Sequence, residues 1–206
     1  MTAPVLDKTD YDVLNVVALK KMATAQAIAD VTGADAESVG VTLDRLAASG
    51  LVIVAGGSAL PTDEAEPALR AAAEQHYGAV RADEGIAVLV ERFETVNAQL
   101  LVTMSAWQQV DVGGRKVAND HADTAYDDKI IARIDKMVAR LGPLLDALAE
   151  HDVRFAEYPR RFAAAIEGID GGQHDLVSSP MLDSVHTIWF EFHEDLLRTL
   201  GWERVE

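Results

Sequence analysis

The segment from Asp183 to Asp195 combines acidic, aromatic and histidine side chains at spacings that could bind a metal ion. If this segment is helical, Asp183, His186 and His193 lie on one face, because steps of three and seven residues return to the same side of a helix. An Asp three residues before a His can supply two ligands to one ion. The two histidines would lie about 10.5 Å apart along the axis, too far for one ion. We therefore favour a structural hydrogen bond, and predict no metal or cofactor.

A second group of polar side chains lies between residues 119 and 127 and contains Asn119, Asp120, His121, Asp123, Tyr126 and Asp127. One interpretation is a loop whose aspartates cap the following helix, since short polar side chains accept hydrogen bonds from free backbone N–H groups. The other interpretation is a site at the end of a helical bundle, lined by Asp120 and His121 and closed by Trp107. The residues alone leave both interpretations open.

Aromatic and polar side chains of these two segments could together line a pocket for a small organic ligand. Ligand sites commonly join aromatic surfaces to a few polar groups, whereas a core that serves only stability prefers Leu, Ile and Val. The alternative is that local hydrogen bonds satisfy each side chain separately. The predicted pocket residues are Trp107, His121, Asp183, His186, Trp189 and His193.

Several classes of enzyme lack their characteristic residues in this sequence. Cysteine is absent, which excludes disulfides, thiol nucleophiles and thiolate metal sites. The sequence contains no glycine-rich phosphate loop, no strand–turn–helix nucleophile motif and no alternation of strands and helices typical of a dinucleotide-binding fold. An Asp–His pair could act as a general base, but no evident nucleophile accompanies it. We therefore predict that the protein is not an enzyme.

Hydrophobic spacing predicts three short helices and a β-hairpin in the N-terminal part of the chain. Apolar residues recur at three- and four-residue steps over residues 10–22, 24–33 and 35–50. Each stretch has the length of a short helix, and Gly33 is a typical C-terminal stop. Residues 51–62 contain two apolar runs separated by a Gly-Gly-Ser turn, which predicts a hairpin. We predict no strand elsewhere in the chain.

The remainder of the chain has helical periodicity and acidic composition, with a long polar connection over residues 108–124. The predicted helices cover residues 68–79, 82–107, 126–149, 153–169 and 180–200. The overall prediction is a mainly α protein with an N-terminal winged helix-turn-helix over residues 1–64. An acidic helical bundle of about four long helices follows over residues 65–206.

The stretch "AIADVTGADAESVGVTLDRLAASGLV" within residues 24–62 resembles the winged helix-turn-helix of MarR and ArsR type regulators. An Ala-x-x-x-Gly turn precedes the recognition helix, and Leu-x-x-x-Gly-Leu-Val leads into the wing. The resemblance implies DNA binding, and the residues expected to contact DNA are Ser38, Thr42, Arg45, Lys20 and Lys21.

Three segments of the bundle, "LLVTMSAWQ", "NDHADTAYD" and "DSVHTIWFEFHEDLL", resemble little-characterised bacterial regulators with an N-terminal winged helix. No activity comes with this second resemblance. It implies only that the three segments belong to one domain and meet in space.

The charge of the chain opposes DNA binding. The formal net charge is -16 at pH 7, and both the winged-helix region and the bundle are acidic. The predicted recognition helix carries Asp35, Glu37 and Asp44 against Arg45, and the predicted wing at 56–61 has no charge. Nucleic-acid affinity depends mainly on Lys and Arg that neutralise phosphates, so this surface repels DNA at long range.

Two functions remain open. The first is a transcriptional regulator whose bundle senses a small molecule or forms a homodimer, in which two recognition helices meet two DNA half-sites. The alternative is a protein-interaction or accessory module that keeps a winged helix without binding DNA. The longest apolar runs are far shorter than a membrane span, and the first ten residues lack a signal-peptide pattern. We therefore expect a cytoplasmic protein without a membrane partner.

Overall fold

The computed structural model describes residues 6–202, and its fold is mainly helical, as predicted. Helices account for 71% of the structure and strands for 9%. None of the helices described there is both long and apolar enough to cross a bilayer. The described residues divide into two compact units, one formed by residues 6–82 and 190–202, the other by residues 83–189. The predicted domain boundary between residues 64 and 65 differs from this division and stays a prediction.

The first unit contains helices α1 to α5, most of α10 and a small sheet. Its elements are α1 (Lys8–Lys20), β1 (Ala23–Thr24), α2 (Ala25–Thr32), α3 (Ala36–Ala48), β2 (Val52–Ala55), β3 (Ser58–Pro61), α4 (Ala65–His76), α5 (Gly78–Arg81) and residues 190–200 of α10 (Val185–Leu200).

Side-chain and glycine caps set the bounds of α2 and α3, and the predicted stop at Gly33 is confirmed. The Thr24 hydroxyl accepts a hydrogen bond from the backbone N–H of Ala27 at 3.2 Å, so α2 begins where its first free N–H groups find a partner. Gly33 ends α2 with φ +69°, a left-handed conformation that favours glycine. Asp35 caps α3 in the same way as Thr24 caps α2. Local sequence chemistry therefore determines both helices.

The sheet of the first unit has three strands in the order β1-β3-β2, and all pairs are antiparallel. The predicted hairpin corresponds to β2 and β3, with Val52 opposite Pro61 and Ala55 opposite Ser58. The two residues of β1 pair with the far side of β3, which places β2 at one edge of the sheet.

A buried polar network fixes the C-terminal part of α10 against α1 in the first unit. Asn15 is only 2% exposed; its side-chain amide donates to Asp195 Oδ1 at 2.9 Å and its carbonyl oxygen accepts from Arg198. Arg198 also donates to Glu66 Oε2 of α4 at 2.8 Å. Burial raises the pKa of Glu66, but the hydrogen bonds and charges of Arg198 and Arg70 outweigh it and leave that pKa below its usual value.

The second unit is built mainly from helices. Its elements are α6 (Glu84–Gln108), β4 (Gln109–Val112), β5 (Arg115–Ala118), α7 (Thr124–Ala139), α8 (Gly142–His151), a 3-10 turn (Val153–Ala156), α9 (Glu157–Asp170), a second 3-10 turn (His174–Val177) and residues 185–189 of α10. Its core includes Phe93, Leu100, Ile134, Leu148 and Phe162, all buried.

The prediction that strands are confined to residues 51–62 is wrong. Beyond the two residues of β1, strands β4 and β5 form a second hairpin within the segment predicted to be a connection. Gly113 and Gly114 both have positive φ, and the backbone N–H of Gly114 donates to Asp111 Oδ1 at 2.8 Å. Two positive φ values in a two-residue turn match the twist of a tight hairpin.

Three of the predicted long helices have different bounds. The helix predicted over residues 126–149 is divided into α7 and α8 near Pro143, because proline has no N–H to continue a helix. The segment predicted as a helix over 153–169 begins with a 3-10 turn before α9. The last helix, α10, begins at Val185 rather than Pro180, and the Ser184 hydroxyl accepts from the backbone N–H of Thr187 at 3.2 Å.

We expect Asn15→Ala to destabilise the protein by about 2–4 kcal/mol, because it removes one partner from each of two buried charged groups. The free energy of unfolding in urea measures the effect. Gln26→Ala is the control: it removes an amide that bonds the exposed Asp30 carboxylate at 2.8 Å, and should change stability by less than about 0.5 kcal/mol. Equal effects of the two substitutions would contradict the role of the network.

Candidate functional sites

The residues predicted to contact DNA lie on α3 and at the end of α1, and most have internal partners. The Ser38 hydroxyl donates to Asp35 Oδ2 at 2.5 Å, and its backbone N–H donates to Asp35 Oδ1 at 2.9 Å. These two hydrogen bonds lower the pKa of Asp35. Ser38 is exposed, but its hydroxyl serves the N-terminal cap of α3.

The cation of α3 is paired with a carboxylate of α1. Arg45 Nη2 donates to Asp10 Oδ1 at 2.5 Å, and this hydrogen bond raises the pKa of Arg45. The same guanidinium donates to Thr42 Oγ1 at 3.3 Å. Thr42 is only 3% exposed. A buried hydroxyl is poorly placed to reach a phosphate, and the contact of Thr42 with DNA stays a prediction.

The two lysines at the end of α1 differ in their surroundings. Lys20 Nζ lies 3.1 Å from Glu191 Oε1 of α10, and both side chains are largely shielded from solvent. Lys21 is exposed and has φ +63° at the C-terminal cap of α1. Of the predicted DNA-contacting cations, only Lys21 is exposed without a carboxylate partner among the described residues.

Apolar side chains occupy the exposed face of α3 and strand β2. Val41 is 56% exposed, and Glu37 and Asp44 lie on the same face of the helix. Ile53 is 59% exposed, and Val54 is about half exposed. We call α3 and the edge strand β2 the α3–β2 face. These residues are not among the predicted site residues, although an uncharged β-branched run at the predicted hairpin indicates them.

Residues Trp107 and His121 of the second unit meet, as predicted for the polar segment 119–127. Their ring centroids are 4.4 Å apart. His121 Nδ1 lies 2.9 Å from Oδ2 of the buried Asp127, and Asn119 Nδ2 donates to Asp127 Oδ1 at 3.0 Å. The backbone of His121 is in the left-handed region, with φ +56°, which is uncommon for residues other than glycine. Asp123, by contrast, caps α7, as the alternative interpretation predicted.

The residues predicted around the start of α10 have partners in the core of the second unit. Trp189 Nε1 donates to Asn97 Oδ1 at 3.0 Å, and its ring stacks on Phe93 at 5.7 Å. Asp183 accepts from Arg161 Nε at 3.0 Å. Burial lowers the pKa of His186.

None of the contacts described above joins all six residues that were predicted to line one pocket. His193 is buried and belongs to the first unit, whereas the other five residues belong to the second. That the six residues share one pocket stays a prediction. The part of the chain between residues 6 and 202 contains no group of three or more metal-ligating side chains placed to hold an ion.

Two cavities are lined by residues other than the six predicted pocket residues. In the first unit a charged cleft of about 620 Å³ is lined by three arginines, three glutamates, Leu197, Gly201 and Trp202. In the second unit a groove of about 510 Å³ lies between α6 and α7. Neither cavity is lined by any of the six predicted pocket residues.

Comparison of the chain with protein-family models, with curated proteins and with solved structures finds no significant match.

The protein should lose stability below neutral pH partly through His186. Its folded pKa is lowered by burial, so the stability of this site is fully present above the ordinary histidine pKa of about 6.5 and is lost as the pH falls toward the lowered value. His186→Gln should therefore lose less free energy of unfolding between pH 8 and pH 5.5 than the wild type. A difference between the two proteins in the free energy of unfolding at pH 8 measures the change in packing that the substitution causes. An identical decline in both proteins would refute the assignment.

Proposed function

We propose that the first unit is a winged-helix module that binds another protein through its α3–β2 face. The order helix, strand, helix, helix, strand, strand over residues 8–61 supports a winged helix, as does the pairing of β1 with β3. The protein-interaction role rests on one observation: this face exposes Val41, Ile53 and Val54 beside the carboxylates of Glu37 and Asp44, and its cation Arg45 is paired with Asp10.

The exposed side chains of this face suit a protein partner. Exposed aliphatic residues close together mark interaction surfaces more often than singly scattered ones do. Strand β2 is an edge strand with Ile53, Val54 and Ala55 exposed, and an unprotected edge can accept an added strand from a partner. The carboxylates of Glu37 and Asp44 on α3 would select a partner with basic residues at the rim.

The same surface is poorly suited to a phosphate backbone. Each phosphate contact requires a cation that exchanges counterions with DNA. Lys20 and Arg45 would have to break their ion pairs with Glu191 and Asp10 before they could neutralise a phosphate. Lys21 is the remaining cation of the predicted set.

A DNA-binding regulator is the second candidate function, and the order of its elements favours it. In that candidate α3 is the recognition helix, Ser38 and Arg45 are its polar contacts, and a homodimer presents two such helices. The second unit would then sense a small molecule or form the dimer.

The two candidates differ in DNA affinity at low salt. We expect a labelled random duplex to bind the wild type no more tightly than about 10⁻⁴ M, the weak end of non-specific binding. Arg45→Ala and Lys21→Ala should leave that weak binding unchanged. Tight binding with a steep salt dependence that is lost in Arg45→Ala would reject the interaction module in favour of the regulator.

A photo-crosslinking amino acid tests the proposed face directly. We expect p-benzoylphenylalanine at Val41 or Ile53 to capture the same protein partner in cells of the source organism, because both side chains are exposed on that face. The same amino acid at Asp170, an exposed position of the second unit, is the control. Capture of DNA alone at position 41, or equal capture at position 170, would contradict the proposal.

A further inference from the structure

The groove between α6 and α7 combines an apolar floor with a row of cations. Its floor is formed by the buried side chains of Thr103 and Met137, and Val102 stands at its margin with 71% exposure. The other lining residues are Ala98, Gln99, Arg133, Lys136 and Arg140. All of them belong to the second unit, so the groove does not involve the α3–β2 face.

No carboxylate among the described residues forms an ion pair with the three cations of the groove. Elsewhere, arginines such as Arg154 and Arg161 pair with aspartates. Arg133 and Lys136 have no carboxylate partner among residues 6–202. Arg140 donates instead to the neutral amide oxygen of Gln99 at 3.0 Å. In a protein with a net charge of -16, this leaves a local positive stripe beside apolar surface.

The spacing of these cations fits an elongated anion. Arg133, Lys136 and Arg140 follow one another at steps of three and four residues, so they form one stripe along α7 about 10.5 Å long. A single carboxylate is too small to meet the whole stripe. A row of carboxylates along one side of a helix matches the length of this stripe.

The openness of the groove also favours a macromolecular occupant. Small-molecule sites enclose most of the ligand surface. Here Ala98, Gln99 and Val102 on α6 are exposed, and so are the three cations on α7. A shallow apolar groove between two helices is the kind of surface that accepts one face of an amphipathic helix.

We propose that this groove binds an acidic amphipathic helix of a partner protein. The apolar residues of that helix pack on Val102 and Met137, and carboxylates along one edge of the helix meet Arg133, Lys136 and Arg140. The inference is independent of the function proposed for the first unit, because it rests on different residues of the other unit.

The test uses the full chain and a defined probe. The probe is a fluorescein-labelled 18-residue helical peptide with leucines on one face and glutamates along one edge of that face. Fluorescence anisotropy should show saturable binding to the wild type. The double variant Arg133→Glu, Lys136→Glu should weaken binding by roughly tenfold or more, because it replaces attraction with repulsion. Val102→Asp should weaken it as well, by placing a charge on the apolar margin.

The controls separate recognition from simple charge attraction. Lys116→Glu makes the same charge change at an exposed position of β5, outside the groove, and should alter affinity by less than about twofold. A scrambled peptide of identical composition should bind more weakly. If either charge-reversed position prevents folding, Arg133→Gln with Lys136→Gln tests the same contact, with circular dichroism as the folding check.

Several results would overturn the proposal. One is equal binding of the scrambled peptide, and another is binding unaffected by the groove variants. Saturable binding of decanoate without peptide binding, lost in the double variant, would assign the groove to a small amphipathic anion. A dimer in light scattering that Val102→Asp dissociates, again without peptide binding, would assign it to a second copy of the chain.

Discussion

The buried network around Asn15 is the interaction on which the first unit depends. Its members come from α1 near the start of the chain and α10 near its end, so the unit is complete only when both ends have folded together. Asp195 and Arg198 are charged and buried, and each would be costly if its partner were lost. Arg81 adds a further tie, because its Nε donates to the carbonyl oxygen of Thr199 near the C-terminal end of α10 at 2.8 Å. Such a network specifies one arrangement of α1, α4 and α10 more strongly than apolar packing alone.

The pairing of cations with carboxylates has a direct consequence for function. In the first unit it removes Lys20 and Arg45 from the surface charge that DNA would require, and leaves aliphatic side chains exposed on α3 and β2. In the second unit Arg133 and Lys136 have no carboxylate partner among residues 6–202. An acidic chain therefore presents two chemically different surfaces, one apolar and acidic, the other apolar and basic. We propose that both surfaces bind protein partners.

Local chemistry made part of the structure predictable. The caps Thr24 and Gly33 and the Gly-Gly-Ser turn are short-range signals, and the helices and hairpin they bound are confirmed. The hairpin of β4 and β5 was missed although Gln109–Val112 alternates polar and apolar residues and a Gly-Gly turn follows it, because both strands are short and largely exposed within a polar segment. The side-chain pairs at the candidate sites were less predictable, since the partners of Arg45 and Asp183 lie 35 and 22 positions away in sequence. Only the tertiary fold determines such pairs.

We propose that the carboxylate of Asp10 keeps Arg45, the cation of the α3–β2 face, from binding DNA. The most direct measurement is the side-chain NMR signal of Arg45 during titration with a random duplex at low salt. The account predicts that the Arg45 guanidinium signals stay unchanged, because the ion pair with Asp10 persists. Saturable shifts of those signals, accompanied by shifts along the backbone of α3, would contradict it.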